Sequence, residues 1–303
     1  LKLSVQKLDS FSGHRDAVYA LVPGAEPHRV YSAGGDGQVI AWDLTKPDLG
    51  ELVARVPASV YALRFDASRQ HLWVGQNFDG IHRIDVAQKR EVGSVKLTAA
   101  PIFDLLFHEN TALAALGDGT VVVLDVAAFA VRRHVKASDR PARCLAVNPL
   151  THELAVGYSD FTVKLFDLTT FALKRVLPAH ANSVFTLAYT PDGQRLLTAG
   201  RDARLKAWEA TADFALVHDV PAHLFAINHL TFSPDGRFLA TASMDKSIKI
   251  WDPHTLRLLK VIDRARHAGH GTSVNKLCWT AYENQLLSAS DDRTVSVWQL
   301  HET

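Results

Sequence analysis

The sequence predicts an all-β fold in which one small unit is repeated seven times, and three observations carry that prediction. Seven apolar runs end in an aromatic or aliphatic residue followed by an acid or amide: Trp42-Asp43, Ile84-Asp85, Leu124-Asp125, Phe166-Asp167, Trp208-Glu209, Trp251-Asp252 and Trp298-Gln299. The second residues of these pairs are spaced by 42, 40, 42, 42, 43 and 47 positions. A recurrence of that size marks an array of supersecondary units. Clusters of turn residues, such as TPDGQ at 190–194 and SPDGR at 233–237, separate the apolar runs. In such clusters Pro presets the first turn dihedral, Asp bonds its own following backbone and Gly accepts positive φ. No stretch of 12 residues holds apolar side chains at helical spacing.

Within a unit the elements follow one order. In the fifth unit an apolar run SVFTLAY (183–189) is followed by the TPDGQ turn, a second run RLLTAG (195–200), a tight turn containing Asp202, and a third run ARLKAW (203–208). The whole chain reads as short antiparallel strands joined by short connections. The 303 residues carry a formal net charge of +1, with 47% hydrophobic and 21% charged residues. That is ample apolar material for a core and too little positive excess for a general polyanion binder. Cys144 and Cys278 make no disulfide framework, the usage expected in a reducing compartment. No apolar run reaches the roughly 20 residues that cross a bilayer. The alternating start of the chain is unlike a signal peptide. The expectation is a cytoplasmic protein, with no membrane association, folded as a single domain over 1–303.

The units resemble WD repeats, and residues 1–303 look like a seven-bladed WD-repeat β-propeller. The Gly-His element that opens such a unit is present as Gly13-His14 and Gly269-His270, and as Ala179-His180 and Ala222-His223. The resemblance implies four antiparallel strands per blade. The last unit reaches only its third strand at WQL, while LSVQKLDSF at 3–11 has no unit of its own. In the family such a segment completes the last blade, which removes exposed strand edges. Residues 3–11 are therefore expected beside 293–299, and loss of residues 1–12 is expected to destabilise the fold.

Four units contain His, Ser or Thr, Asp and Trp at constant offsets of 18, 22 and 28 from the His: His14, Ser32, Asp36, Trp42; His180, Thr198, Asp202, Trp208; His223, Thr241, Asp245, Trp251; and His270, Ser288, Asp292, Trp298. The residue types are those of a hydrolase triad, but one active site does not recur at a repeat period. An indole N–H needs a buried acceptor, the hydroxyl supplies it, and imidazole links the hydroxyl to the carboxylate. In WD repeats these positions form such a structural network. Units two to four lack the set, with Val56 and Val74 in unit two, Ala114 and a retained Asp118 in unit three, and Ser138 and Val156 in unit four. Sequence drift and adaptation to a partner both fit that loss.

The resemblance also implies a partner-binding face on the Gly-His side, with three positions per blade. The residue after the first Val or Ile of the innermost strand reads Tyr19, Tyr61, Phe103, Arg143, Phe185, Asn228 and Asn275, four aromatics in a chain with 9% aromatic residues. The residues before it are small or Pro, and the position preceding the turn Asp includes Arg201 and Met244. Aromatics, Arg and Met are enriched at interface centres; an aromatic on an inner strand also serves as plain core. Arg264, Arg266 and His267 make the connection DRARHAGH basic, and Arg132, Arg133, Lys136, Arg140 and Arg143 form a second basic run. Either is a solvated edge or an anion contact. No phosphate loop, dinucleotide fingerprint or Cys-x-x-Cys is present, so no cofactor or metal is expected. The resulting expectation is a non-enzymatic scaffold that binds a protein or peptide, with no small-molecule substrate. The alternatives are RNA association through the strip 132–143, or a ligand or catalytic site in a central channel.

Overall fold

In a computed structural model, which describes residues 3–46 and 50–302, the repeats fold as seven four-stranded sheets. Blade one is Val18–Pro23, Arg29–Gly34, Gln38–Asp43 and Glu51–Arg55; blade two is Val60–Asp66, His71–Gln76, Gly80–Asp85 and Arg90–Lys96. Blade three is Ile102–His108, Thr111–Leu116, Thr120–Asp125 and Ala130–Lys136; blade four is Ala142–Val147, Glu153–Tyr158, Val163–Asp167 and Leu173–Leu177. Blade five is Val184–Tyr189, Arg195–Gly200, Arg204–Glu209 and Ala215–Pro221; blade six is Ile227–Phe232, Leu239–Ser243, Ile248–Trp251 and Leu258–Ile262. Blade seven joins Val274–Trp279, Leu286–Ser290 and Thr294–Glu302 to the N-terminal strand Leu3–Ser12. Strands within a blade run antiparallel in chain order, the arrangement of a seven-bladed β-propeller.

The two ends of the described chain meet in one sheet. Leu3 pairs with Glu302 and Ser12 with Thr294, with a break in register between Lys7 and Asp9. Phe11 stacks on Trp42 with ring centroids 5.0 Å apart, and both rings are buried. The expected closure of the last blade by residues 3–11 is thus present.

Backbone contacts divide the chain into two compact units, Leu1–Ala99 with Thr231–Thr303, and Ala100–Leu230. The first contains blades one, two and seven, the second blades three, four and five, and the division falls within the first strand of blade six. In the first unit, Ala33, Val39, Val60, Leu72 and Val74 build one apolar cluster, and Ile248, Val274, Leu286 and Trp298 another. In the second, Leu165, Val184, Leu196 and Trp208 form one cluster and Leu113, Val123, Leu154 and Phe166 another. Each apolar cluster fills the space between successive sheets, which fixes where the strand ends, and their side chains, are held.

The acid of each Trp-Asp pair has a local task. Asp43, Asp125, Asp167 and Asp252 accept backbone N–H bonds from Thr45, Ala128, Thr170 and Thr255 at 2.7–2.9 Å, nucleating the turn into the fourth strand. The turn between second and third strands needs positive φ one residue after its Asp. Gly37 supplies it at +68°, and a Cβ there would lie 2.1 Å from the Val56 carbonyl. Ala203, Lys246 and Arg293 adopt the same conformation with side chains. The connection 263–270, read from sequence as irregular and basic, contains one helical turn, Arg264–His267, capped by Asp263.

The first strands share a further irregularity. Pairing with the second strand slips between Val18 and Ala20, Val60 and Ala62, Ile102 and Asp104, Ala142 and Cys144, Val184 and Thr186, and Val274 and Lys276. The residues left out of register are Tyr19, Tyr61, Phe103, Arg143, Phe185 and Asn275. A bulge of this kind inserts one unpaired residue, bends the strand and re-aims that side chain.

Candidate partner-binding site

Three of the repeated sets are closed hydrogen-bond chains. In blade one, Trp42 Nε1 donates to Ser32 Oγ at 2.7 Å, Ser32 Oγ lies 2.7 Å from His14 Nε2, and His14 Nδ1 lies 3.1 Å from Asp36. Blade five repeats this with Trp208, Thr198, His180 and Asp202 at 2.9, 2.9 and 2.9 Å. Blade seven repeats it with Trp298, Ser288, His270 and Asp292 at 2.8 Å in each link. In blade six Trp251 Nε1 donates to Thr241 Oγ1 at 2.8 Å, while His223 is buried and Asp245 accepts the Ser247 backbone N–H at 3.0 Å. One proton assignment satisfies every group: indole donates to hydroxyl, hydroxyl to Nε2, and Nδ1–H to carboxylate.

Burial pushes the His14 imidazole below its usual pKa, against the pull of Asp36. The ring is therefore neutral, and its link to Asp36 is a hydrogen bond more than an ion pair. Burial alone would raise the Asp36 carboxyl, but N–H donors from Arg15 and Gln38 and the adjacent His14 outweigh it and hold it low. Asp202 behaves likewise through His180. Ser32, Thr198, Thr241 and Ser288 are all 0% exposed, so no substrate atom reaches these hydroxyls. The arrangement ties first-strand loop, second strand and third strand into one rigid piece.

Blade four fills the missing hub differently. Ser138, at the His position, donates to Asp160 at 2.7 Å. Lys164 enters from the third strand, is 7% exposed, bonds Asp160, and places its ammonium 4.3 Å from the Tyr158 ring centroid. The sequence shows the lost His but gives little sign of this replacement. Lys206 and Lys249 occupy matching positions in blades that keep their Trp; Lys206 pairs with Asp219 at 3.6 Å. In blade two Asn77 Nδ2 donates to Ser59 Oγ at 3.0 Å and His82 bridges Asp79 and Glu91. In blade three Asp118 accepts the Thr120 backbone N–H at 2.9 Å.

On these braced sheets the bulge residues collect in two groups, one in each compact unit. In the first unit, Tyr19 and Tyr61 meet edge to face with centroids 4.9 Å apart. Burial, then the carboxylate of Asp291, the Tyr61 ring and Asp16 push the Tyr19 phenol upward. Asn275 donates to Asp291 at 2.7 Å and to the Val18 carbonyl at 3.1 Å, and Met244 is 51% exposed. This surface is aromatic and acid-lined. In the second unit the guanidinium of Arg143 lies between two rings, 3.9 Å from the Phe103 centroid and 4.6 Å from that of Phe185. Contacts of this type attract the guanidinium to the ring faces and hold it in place. Arg201 is exposed at the neighbouring turn and Asn228 is half-buried at the start of blade six.

The basic run 132–143 does not form a continuous track. Arg132 pairs with Asp125, Arg133 donates to the Thr170 carbonyl and Lys136 pairs with Asp139. Arg143 belongs to the Phe103–Phe185 clasp on the next strand. In the helical turn Arg266 is bound to Asp263. Cys144 and Cys278 are buried and form no disulfide, and burial pushes the Cys278 thiol up to about 12. Among the described residues no group of three His, Cys, Asp or Glu is placed to hold a metal ion, and no helix is long and apolar enough to cross a membrane.

Comparison with known proteins agrees with the geometry. The solved WD40 beta propeller domain of Doa1 superimposes with a TM-score of 0.86 over 97% of each chain at 17% identity, which establishes the fold. Periodic tryptophan protein 2 of Saccharomyces cerevisiae is 25% identical over 219 residues, covering 68% of this chain and 21% of that protein. The THO complex subunit 6 homolog of Danio rerio is 22% identical over 178 residues, 50% of this chain and 53% of that protein. The chain spans about a fifth of the length of periodic tryptophan protein 2. The family described as WD domain, G-beta repeat matches residues 5–43, 171–209, 214–252 and 263–299, about half of the sequence. With hubs of Trp, Ser or Thr, His and Asp in its blades, this chain belongs to the WD-repeat family.

Proposed function

We propose that the chain is a non-enzymatic binding module that recruits a protein or peptide through the residues at the bulges of its first strands. The observation that carries this reading is the coincidence of bulge and residue type. Tyr19, Tyr61, Phe103, Arg143 and Phe185 each stand where the ladder slips, and such side chains make the largest contributions at interfaces. The hubs of blades one and five hold Tyr19 and Phe185 on a stiff frame, which lowers the ordering cost of binding. The name of the THO complex subunit 6 homolog describes a subunit of a complex, in keeping with this role. RNA association through 132–143 has less support, because three of its five cations, Arg132, Arg133 and Lys136, are engaged by Asp125, the Thr170 carbonyl and Asp139. The buried thiols suit a reducing compartment such as the cytoplasm.

The test is affinity purification with mass spectrometry on the wild type and on a Tyr61→Ala, Phe103→Ala, Phe185→Ala variant. The variant is expected to keep its circular dichroism and lose specific partners. An unchanged partner set on an intact fold would refute the proposal.

A further inference from the structure

The residues after the hub histidines offer an internal comparison. In blades one, five and seven they are Arg15-Asp16, Ala181-Asn182 and Gly271-Thr272, polar or small as an exposed loop demands. After His223 they are Leu224 and Phe225, exposed by 83% and 62%, and Leu224 is the most exposed large hydrophobic side chain among the described residues. Core packing therefore gives no reason for this pair.

The backbone fixes what stands next to it. Ala222 and His223 donate N–H bonds to the Ala203 carbonyl at 3.0 and 3.2 Å, which pins the loop to the blade-five turn carrying Arg201. Arg201 in turn donates its N–H to the Ser183 carbonyl at 2.9 Å, two residues before Phe185 and its clasped Arg143. The one carboxylate of that turn, Asp202, faces inward onto His180 Nδ1 at 2.9 Å. The strip thus carries the exposed Arg201 and the half-buried, ring-held Arg143, with an exposed apolar pair at its end.

We propose that Arg143, Arg201, Leu224 and Phe225 form a docking strip for an acidic peptide bearing a bulky aliphatic or aromatic side chain. Its carboxylates sit on the guanidiniums, and its apolar side chain covers Leu224 and Phe225. Charge complementarity selects the acidic partner, since Arg forks match carboxylates bidentately; a basic or purely apolar segment lacks half of the contacts. This inference deepens the binding reading above and rests on it.

The test is selection of a random displayed peptide library on the full chain. Selected peptides are then measured by fluorescence anisotropy against wild type, Leu224→Ser/Phe225→Ser, Arg201→Glu and Phe103→Ala/Phe185→Ala. Selected peptides are expected to place Asp or Glu beside Leu, Ile, Phe or Trp. The double Ser variant is expected to weaken binding roughly tenfold or more, and Arg201→Glu to weaken it while flattening its salt dependence. Unchanged circular dichroism is expected, because Arg201, Leu224 and Phe225 are exposed and the half-buried Phe103 and Phe185 stand at bulges outside the ladder. No enrichment, enrichment of basic peptides, or unaltered affinity of the double Ser variant overturns the strip. Peptides lost on Phe103→Ala/Phe185→Ala but kept by the double Ser variant overturn the strip and leave the bulge-residue reading standing. Peptides kept by every variant overturn both.

Discussion

Replacing Ser32 by Ala isolates the energetic value of a hub. Ser32 Oγ is the acceptor for Trp42 Nε1 and the neighbour of His14 Nε2, both at 2.7 Å. The substitution removes one small atom yet strands two buried polar groups, because Trp42 and His14 are 1% and 7% exposed. At about 1–3 kcal/mol for each buried group left unsatisfied, with partial relief where the imidazole rotates, the expected cost is about 2–4 kcal/mol. Equilibrium urea unfolding, followed by Trp fluorescence and far-UV circular dichroism, measures it. Ser32→Thr is expected to stay close to wild type, since Thr198 and Thr241 serve the same role in blades five and six. A double-mutant cycle sharpens the test: with Trp42→Phe there is no indole N–H to strand, so Ser32→Ala is expected to cost less in that background. A loss within about 0.5 kcal/mol of zero, or equal costs in both backgrounds, would refute the account of the hub as a mutually satisfied chain.

Three other outcomes follow from the same physics. Deleting Leu3–Ser12 removes the strand paired with Thr294–Glu302 and the Phe11 ring stacked on Trp42; a large drop in thermal midpoint is expected, and an unaltered melting curve would contradict the closure. Lys164→Met leaves the Asp160 carboxylate without its buried ammonium partner; a stability loss of about 1–3 kcal/mol is expected at neutral pH, reduced because Asp160 keeps some solvent contact, and a gain in stability would show that the ammonium is a burden. Acid titration probes Asp292, whose carboxyl is held well below the usual range: burial opposes ionisation, but bonds from His270 and Thr294 outweigh it. A folded-state pKa below the unfolded one gives stability that is complete above the unfolded value of 3.8 and lost as pH falls beneath it. Asp292→Asn is therefore expected to lessen the fall in unfolding free energy as pH drops below about 4; an identical fall in both proteins would sink the assignment.

Much of the fold was legible because the repeat makes seven noisy signals confirm one another. A single IHRID or VVVLD segment is an ordinary strand, yet its spacing from Trp42-Asp43 and Phe166-Asp167 makes it the third strand of a blade. The N-terminal strand was legible by the same count, as a segment without a unit beside a unit without its last strand. The bulge was not, since a slip in register leaves no mark on apolar alternation; it became visible only from the pairing of Val18 with Gly34 and Ala20 with Ala33. The Arg143 clasp was hidden because Phe103, Arg143 and Phe185 are far apart in sequence and meet through the stacking of blades three to five. Lys164 was hidden because a buried lysine reads as a surface one until its carboxylate partner is located. Leu224 and Phe225 were in plain view; the signal was the contrast with Arg15-Asp16, Ala181-Asn182 and Gly271-Thr272, a comparison that the hub spacing already allowed.

The slipped residue on each first strand has an engineering consequence. Since Tyr19, Tyr61, Phe103, Arg143, Phe185 and Asn275 contribute no Cα partner to the ladder, their identities are uncoupled from the cross-strand pairing that specifies the sheets. Randomising these six codons together offers a way to give the same scaffold new ligands while its architecture stays untouched, much as a tool holder accepts different bits without being recast.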